Sequence, residues 1–260
     1  MQKRKKRIVI LGMAFFIFAV FFLLLKLNIF TIKFLSYQPP SLSCADSEKI
    51  KNSTKLIGQN IFLVNLKKEE SNLESNFFCI KSISFSRNFP DRIKITFQER
   101  KPVANLVEGI SATGSAVLKE FIEASSSAKF NFQSSEGKNF LIDSDGVIYL
   151  QSSVNPEAPL LFVSDLNLSL GQKVDQHLMN SLIILEKIKT FGLNITETGI
   201  FEKAFMINTT PKIIFALGND ISEQIASLQL ILEKAKINLS QLEFIDLRFD
   251  KPIVKIAPKK

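Results

Sequence analysis

The chain has 260 residues, a net charge of +8, 2 cysteines and 1 histidine. Five units of that charge come from the basic run 3–7, so the remainder carries about +3, too dispersed to predict nucleic-acid binding. The single histidine, with two cysteines outside any metal-ligand or redox spacing, argues against a metal centre, a cofactor site and a site for a small-molecule substrate.

The first element is an apolar run from Ile8 to Leu25. About 18 residues rising about 1.5 Å each cross most of a hydrocarbon core roughly 30 Å thick, and the next residues extend the span. The basic run favours the cytoplasmic side, so the sequence predicts a cytoplasmic tail 1–7 and a transmembrane helix 8–28. A cleaved signal peptide is the main alternative, but the run is long and lacks a small-x-small cleavage site. The prediction is a single-pass type II protein of the cell (inner) membrane.

The next elements read strand, helix, helix. Residues 29–37 are mixed apolar and β-branched, which indicates a strand ended by Pro39 and Pro40. A capping pattern that begins at Ser43 predicts a first helix, which the left-handed stop at Gly58 would end. Apolar residues at helical spacing over 66–77 predict a second helix.

A hairpin follows. Apolar and polar residues alternate over 83–86 and again over 92–98, with a turn at 87–91 between them. Each predicted strand therefore has one buried face. Pro102 has no backbone N–H to donate to a neighbouring strand, so it fits the end of this unit.

The second half begins with a segment rich in serine and alanine, 111–133, which predicts a variable connection. Residues 140–149 predict another hairpin, because Asp145-Gly146 favours the positive backbone angles of a tight turn. Asp143-x-Asp145-Gly146 also fits part of a calcium loop, but the remaining ligand positions are missing. The turn is the favoured interpretation.

Two helices and four strands complete the chain. The helices are predicted at 174–191 and 220–236 from their apolar stripes. The strands are predicted at 199–208, 212–217, 243–249 and 253–256. The fold class is therefore α+β: a transmembrane helix, a βααββ unit, and a mixed β domain with two flanking helices.

The first half contains short motifs that carry a family resemblance. Gly-Gln-Asn-Ile-Phe at 58–62 and Arg-Asn-Phe-Pro at 87–90 are similar to the turn between the two helices, and to the hairpin, in the POTRA domain of the bacterial cell-division family of FtsQ and DivIB. Glu-Arg-Lys-Pro-Val-Ala at 99–104 resembles the run that leads out of that domain. The resemblance implies a POTRA domain at 29–104 and an FtsQ-type β domain at 105–260.

The end of the chain carries a second resemblance. Phe-Ile-Asp-Leu-Arg-Phe-Asp at 244–250 is similar to the family's terminal Ile-Asp-Leu-Arg-Tyr-Asp strand. In that family the edge around this strand receives a strand from FtsB, which itself pairs with FtsL. The resemblance therefore implies β-augmentation, with Arg248 and Phe249 as candidate partner contacts. Phe249 lacks the hydroxyl of the usual tyrosine.

The resemblance implies a non-enzymatic bitopic scaffold at the division septum, linking FtsB/FtsL-like single-pass proteins to the septal peptidoglycan synthesis complex. The sequence favours this function over two alternatives. A POTRA protein of export or assembly would need a transmembrane barrel, for which the roughly 150 remaining residues with helices are unsuited. An anchored hydrolase would need a nucleophile with a base. His177, the single histidine, has no nearby nucleophile or carboxylate pair in the sequence.

The two cysteines allow a disulfide. Cys44 and Cys79 both lie outside the membrane in the predicted topology, where oxidising surroundings permit a bridge. Two small buried thiols are an equally good interpretation, because sequence does not show whether the Cα atoms come within about 7 Å. Both alternatives stay open at this stage.

Overall fold

The computed structural model divides the chain into two compact units, Met1–Glu99 and Arg100–Lys260. The predicted domain boundary, after residue 104, lies a few residues later than the boundary between these units. Ala104 pairs with Ile142 in the sheet of the second unit. The residues that the structure describes are 12, 13, 15, 16, 18, 28–109, 114–123, 132, 139–152, 154–164, 168–218, 220–234 and 242–256.

Most of the predicted tail and span, 1–28, lies outside the described residues. Those of the apolar run that are described, at 12, 13, 15, 16 and 18, are helical. The large apolar side chains among them are 62 to 74% exposed. Within the described part of the chain, no helix is long and apolar enough to cross a membrane.

The first unit is a three-stranded sheet with two helices, in the predicted order strand, helix, helix, strand, strand. Strand β1 pairs in parallel with the central strand β3, which pairs antiparallel with β2. A short 3-10 helix, Asn28–Phe30, overlaps the start of the strand predicted at 29–37, and the observed strand begins only at Phe34. The elements are β1 Phe34–Gln38, α1 Ser47–Ser53, α2 Leu66–Asn76, β2 Ile80–Asn88 and β3 Arg92–Glu99.

Local chemistry accounts for the boundaries of helix α1, which differ from those predicted. The N-cap is Asp46, whose carboxylate accepts a hydrogen bond from the Lys49 N–H at 2.8 Å, and not Ser43. Ser43 instead donates its N–H to the Glu99 carboxylate. The helix ends before Gly58, which has φ +86° in the turn that follows.

The hairpin keeps the predicted alternation but has a shorter turn. Ile83 and Phe97 are opposite one another and buried, as the period-2 pattern requires. Pairing continues to Asn88 and Arg92, so only residues 89–91 form the turn.

Among its described residues, the second unit contains a nine-stranded sheet with the order β12-β11-β10-β9-β8-β7-β4-β5-β6. Helices α4 and α5 pack into an apolar core on one face, and helix α3 packs into a separate core. The elements are β4 Ala104–Glu108, α3 Gly114–Glu123, β5 Phe140–Ile142, β6 Ile148–Gln151, β7 Leu160–Val163, α4 Gln176–Lys189, β8 Glu197–Phe201, β9 Ala204–Asn208, β10 Lys212–Ala216, α5 Ile221–Lys234, β11 Leu242–Asp246 and β12 Ile253–Ile256.

Two predictions for this unit were wrong. The single strand predicted at 199–208 is a hairpin, β8 and β9, because the chain reverses at Glu202, which has φ +56°. The connection predicted at 111–133 contains α3, with Phe121 fully buried, and also Phe132, which is 9% exposed and stacks on Phe162 at a ring-centroid distance of 5.1 Å. The helix has Val117, Leu118, Phe121 and Ile122 at helical spacing, a short signal that the flanking serines and alanines made easy to overlook.

Candidate partner-binding edge

The terminal edge of the nine-stranded sheet is strand β12, not the strand that resembles the family motif. Strand β11 lies between β10, with which it pairs in parallel, and β12, with which it pairs antiparallel. Both sides of β11 are therefore already occupied. Within the range Leu242 to Ile256, only β12 can accept a further strand.

The hydrogen-bond pattern shows which groups of β12 face away from the sheet. Leu247 donates its N–H to Ile214 O at 2.8 Å, so Leu247 and Ile245 direct their backbone groups toward β10. By alternation, Asp246 faces β12 and bonds with its partner Ile253. The N–H and C=O groups of Val254, the partner of Ile245, then point outward, and the register shift between Leu242 and Phe244 lies beyond this pair.

This edge is apolar and exposed. The side chains of Ile253, Val254 and Ile256 are 48%, 37% and 64% exposed. Proteins usually protect such an edge with charge, proline or a covering element, because it offers a template for another strand. The one charged residue, Lys255, is engaged with Glu243, with Nζ 2.9 Å from Oε2. Strand β12 therefore has the properties of a docking edge.

The predicted contact residue Arg248 lies just after β11 and binds within the chain. Its guanidinium donates to both carboxylate oxygens of Asp246, at 2.9 and 2.7 Å, and its N–H donates to the same carboxylate. These hydrogen bonds raise the pKa of Arg248 above its ordinary value, against the effect of burial. The predicted strand 243–249 ends at Asp246 because this carboxylate bonds the backbone two residues on.

The second predicted contact, Phe249, is 52% exposed and adjoins a cavity of about 300 Å³. The Arg248 guanidinium carbon lies 5.5 Å from the centre of the Phe249 ring. The cavity is formed by the segment before β12 and the start of α5, far apart in sequence, so no sequence signal pointed to it. It is lined by Leu247, Phe249, Asp250, Pro252, Asp220, Glu223, Gln224 and Ser227.

A buried cation lies next to this end of the sheet. Lys212 is 4% exposed, donates from Nζ to Phe121 O at 3.3 Å, and lies 5.3 Å from the Phe121 ring centre. Burial lowers the pKa of Lys212, with Glu243 opposing the shift. This lysine attaches helix α3 to strand β10, a contact that sequence analysis missed.

Two further residues that the sequence analysis considered, Asp143 and His177, lie in a hydrogen-bonded turn and on the exposed side of a helix. Asp143 accepts hydrogen bonds from the N–H groups of Asp145 and Val147 and pairs with Arg100, within a turn completed by Gly146 at φ +71°. His177 is exposed on α4. Among the described residues, no three histidine, cysteine or acidic side chains are grouped so as to hold a metal ion.

Cys44 and Cys79 form a disulfide bond in the first unit. Their Cα atoms are 6.1 Å apart, within the range that a bridge requires. The bond joins the loop before α1 to the residue before β2, across a sequence separation of 35. In the chain-entropy description, closing a loop of this length in the unfolded state stabilises the fold by about 4 kcal/mol.

Thiol labelling is the direct test of this bond. Maleimide treatment of the full chain, denatured without reductant, is expected to add no mass, and treatment after reduction should add two labels. The Cys44→Ser variant should acquire one label without reduction and melt at a lower temperature. Two labels on the unreduced wild-type chain would show that the cysteines are free.

A sequence comparison adds to this geometry. The family described as "POTRA domain, FtsQ-type" matches residues 45–100, which contain both helices and both hairpin strands of the first unit. None of the curated proteins gives a significant match. The match confirms the resemblance to the FtsQ/DivIB family in the first half of the chain, which contains a POTRA domain of the FtsQ type.

Proposed function

We propose that this protein is a non-enzymatic scaffold of the bacterial division machinery. The observation that carries the proposal is the FtsQ-type POTRA domain at 45–100. The protein is anchored by residues 8–28 with its N-terminus in the cytoplasm, and its POTRA domain (29–104) and β domain (105–260) are extracytoplasmic. The apolar run and the basic run before it support this orientation. It acts at the division septum.

The scaffold binds by adding a partner strand to β12. The outward N–H and C=O groups of Val254 supply main-chain hydrogen bonds, and the exposed apolar side chains of the strand supply contact area. The partner is an FtsB/FtsL-like pair of single-pass proteins, through which the chain reaches the septal peptidoglycan synthesis complex. Phe249 is the side-chain contact, and Arg248 holds the segment before β12 in place through Asp246.

This assignment modifies the role expected of Arg248. Reversing its charge would place a carboxylate beside the 4% exposed side chain of Asp246, so an Arg248→Glu variant would lose stability as well as binding. Phe249→Ser is a cleaner test of side-chain recognition, because the ring is half exposed.

Depletion in the native host tests the division role. Cells depleted of the protein are expected to grow as filaments with normally segregated nucleoids, and a fluorescent fusion is expected at midcell before constriction. Complementation with the wild-type chain controls for effects on neighbouring genes. An export function would instead produce cells of normal length with envelope assembly defects, and that result would reject the division scaffold.

A further inference from the structure

The first unit has an exposed aromatic cluster, formed by Phe30, Phe62 and Phe89. The ring centres of Phe30 and Phe62 are 5.1 Å apart in an edge-on arrangement, and those of Phe62 and Phe89 are 5.0 Å apart and stacked. Phe62 is 45% and Phe89 57% exposed, and the neighbouring residues Ile29 and Leu63 are 55% and 73% exposed. We call these five residues the aromatic end of the POTRA domain.

Backbone contacts join the three segments that carry the aromatic end. Ile61 donates its N–H to Phe30 O at 2.9 Å, and the Arg87 Nε–H donates to Ile61 O at 2.8 Å. Lys33 donates its N–H to Asp91 O in the hairpin turn at 2.9 Å. Backbone hydrogen bonds thus join the turns that carry these apolar side chains to one another and to the segment before β1, and hold the side chains outward.

Apolar surface displayed in this way marks an interaction site, because leaving it in contact with water is unfavourable. The position of the surface along the chain indicates what covers it. Ile29 directly follows the predicted span 8–28, so no linker separates the aromatic end from the bilayer. Lys33 and Arg92, both exposed, lie beside it and complement anionic headgroups.

We infer that the aromatic end inserts into the headgroup region of the membrane in which the chain is anchored. Phenylalanine and leucine side chains partition into this region when a protein holds them there, and adjacent basic residues add electrostatic attraction. The inference rests on the proposed anchoring of the chain. Its consequence is that the POTRA domain is held against the bilayer surface at a defined end.

The test uses the full chain, one molecule per nanodisc of phosphatidylethanolamine and phosphatidylglycerol, with some lipid carrying a doxyl quencher near the headgroup. The environment-sensitive fluorophore NBD is attached through Leu63→Cys or, as the matched control, through Ser75→Cys. Ser75 is exposed near the C-terminus of α2, about 15 Å along the helix axis from the N-cap Asn65, which follows Leu63 by two residues. Quenching at position 63 is expected to exceed that at position 75 by about threefold or more.

A second comparison identifies the groups responsible. In the Leu63→Cys chain, Phe62→Asp with Phe89→Asp should reduce the quenching at least about twofold, since carboxylates resist insertion. Hydrogen exchange of the β2 amides checks that the domain stays folded in this variant. Equal quenching at positions 63 and 75 in the wild-type background would overturn the inference.

Co-flotation of the full chain with liposomes separates this inference from the anchoring. A chain that fails to float would overturn both the anchor and the surface contact. A chain that floats but shows equal quenching at the two positions would keep the anchor and reject the contact. Because each nanodisc holds one molecule, quenching at position 63 cannot come from pairing of two copies.

Discussion

A Val254→Pro substitution is expected to weaken binding of the full chain to a soluble FtsB–FtsL complex by at least about 100-fold while leaving the β domain folded. Proline removes the outward N–H of Val254, which a docking strand needs, and its ring obstructs the approach of that strand. The bonds between β11 and β12 run through the neighbouring pairs, Asp246 with Ile253 and Phe244 with Lys255, so they survive the change. Binding would be measured by interferometry with the chain in nanodiscs.

Val254→Ala is the matched control, because it shortens the side chain and keeps the N–H. Its affinity should stay within about threefold of wild type, since the strand is held mainly by main-chain bonds. Wild-type affinity in the Val254→Pro variant, with an unchanged melting temperature, would show that β12 is not the docking edge.

A Phe121→Ala substitution is expected to destabilise the second unit by about 3 to 5 kcal/mol, the usual cost of removing a fully buried phenylalanine ring. The ring also covers the Lys212 ammonium, so its loss leaves a buried cation partly uncovered. Hydrogen exchange measured by mass spectrometry gives the effect for each unit separately. Protection should fall in peptides that contain Met206 and Ile214 and stay unchanged in peptides from the POTRA domain.

The control for this substitution lies on the same helix. Lys119 has a side chain that is 76% exposed, and among the described residues it forms an ion pair with Glu123, at 3.9 Å. Lys119→Ala should change stability by less than about 0.5 kcal/mol. The packing of α3 against the sheet would be refuted if the amides around Met206 and Ile214 exchanged no faster in the Phe121→Ala variant than in the Lys119→Ala variant.

The hairpin of the POTRA domain and the capped helices show what the sequence by itself determined. Alternation over 92–98 selects one buried face because successive side chains of a strand point to opposite sides. The Asp220 cap bonds backbone N–H groups within three residues, so its pattern is visible in a short window. The order βααββ and the two long helices followed from such local signals.

Tertiary structure decided which strand forms the docking edge and which residue packs over the Lys212 ammonium. Whether β11 or β12 is the edge depends on β10, about 30 residues earlier, which takes the other side of β11. Helix α3 has apolar residues at helical spacing, but its contact with Lys212, 91 residues away from Phe121, depends on the fold. Periodicity and capping are set by near neighbours in the chain, whereas edge status and burial depend on which distant strands pair.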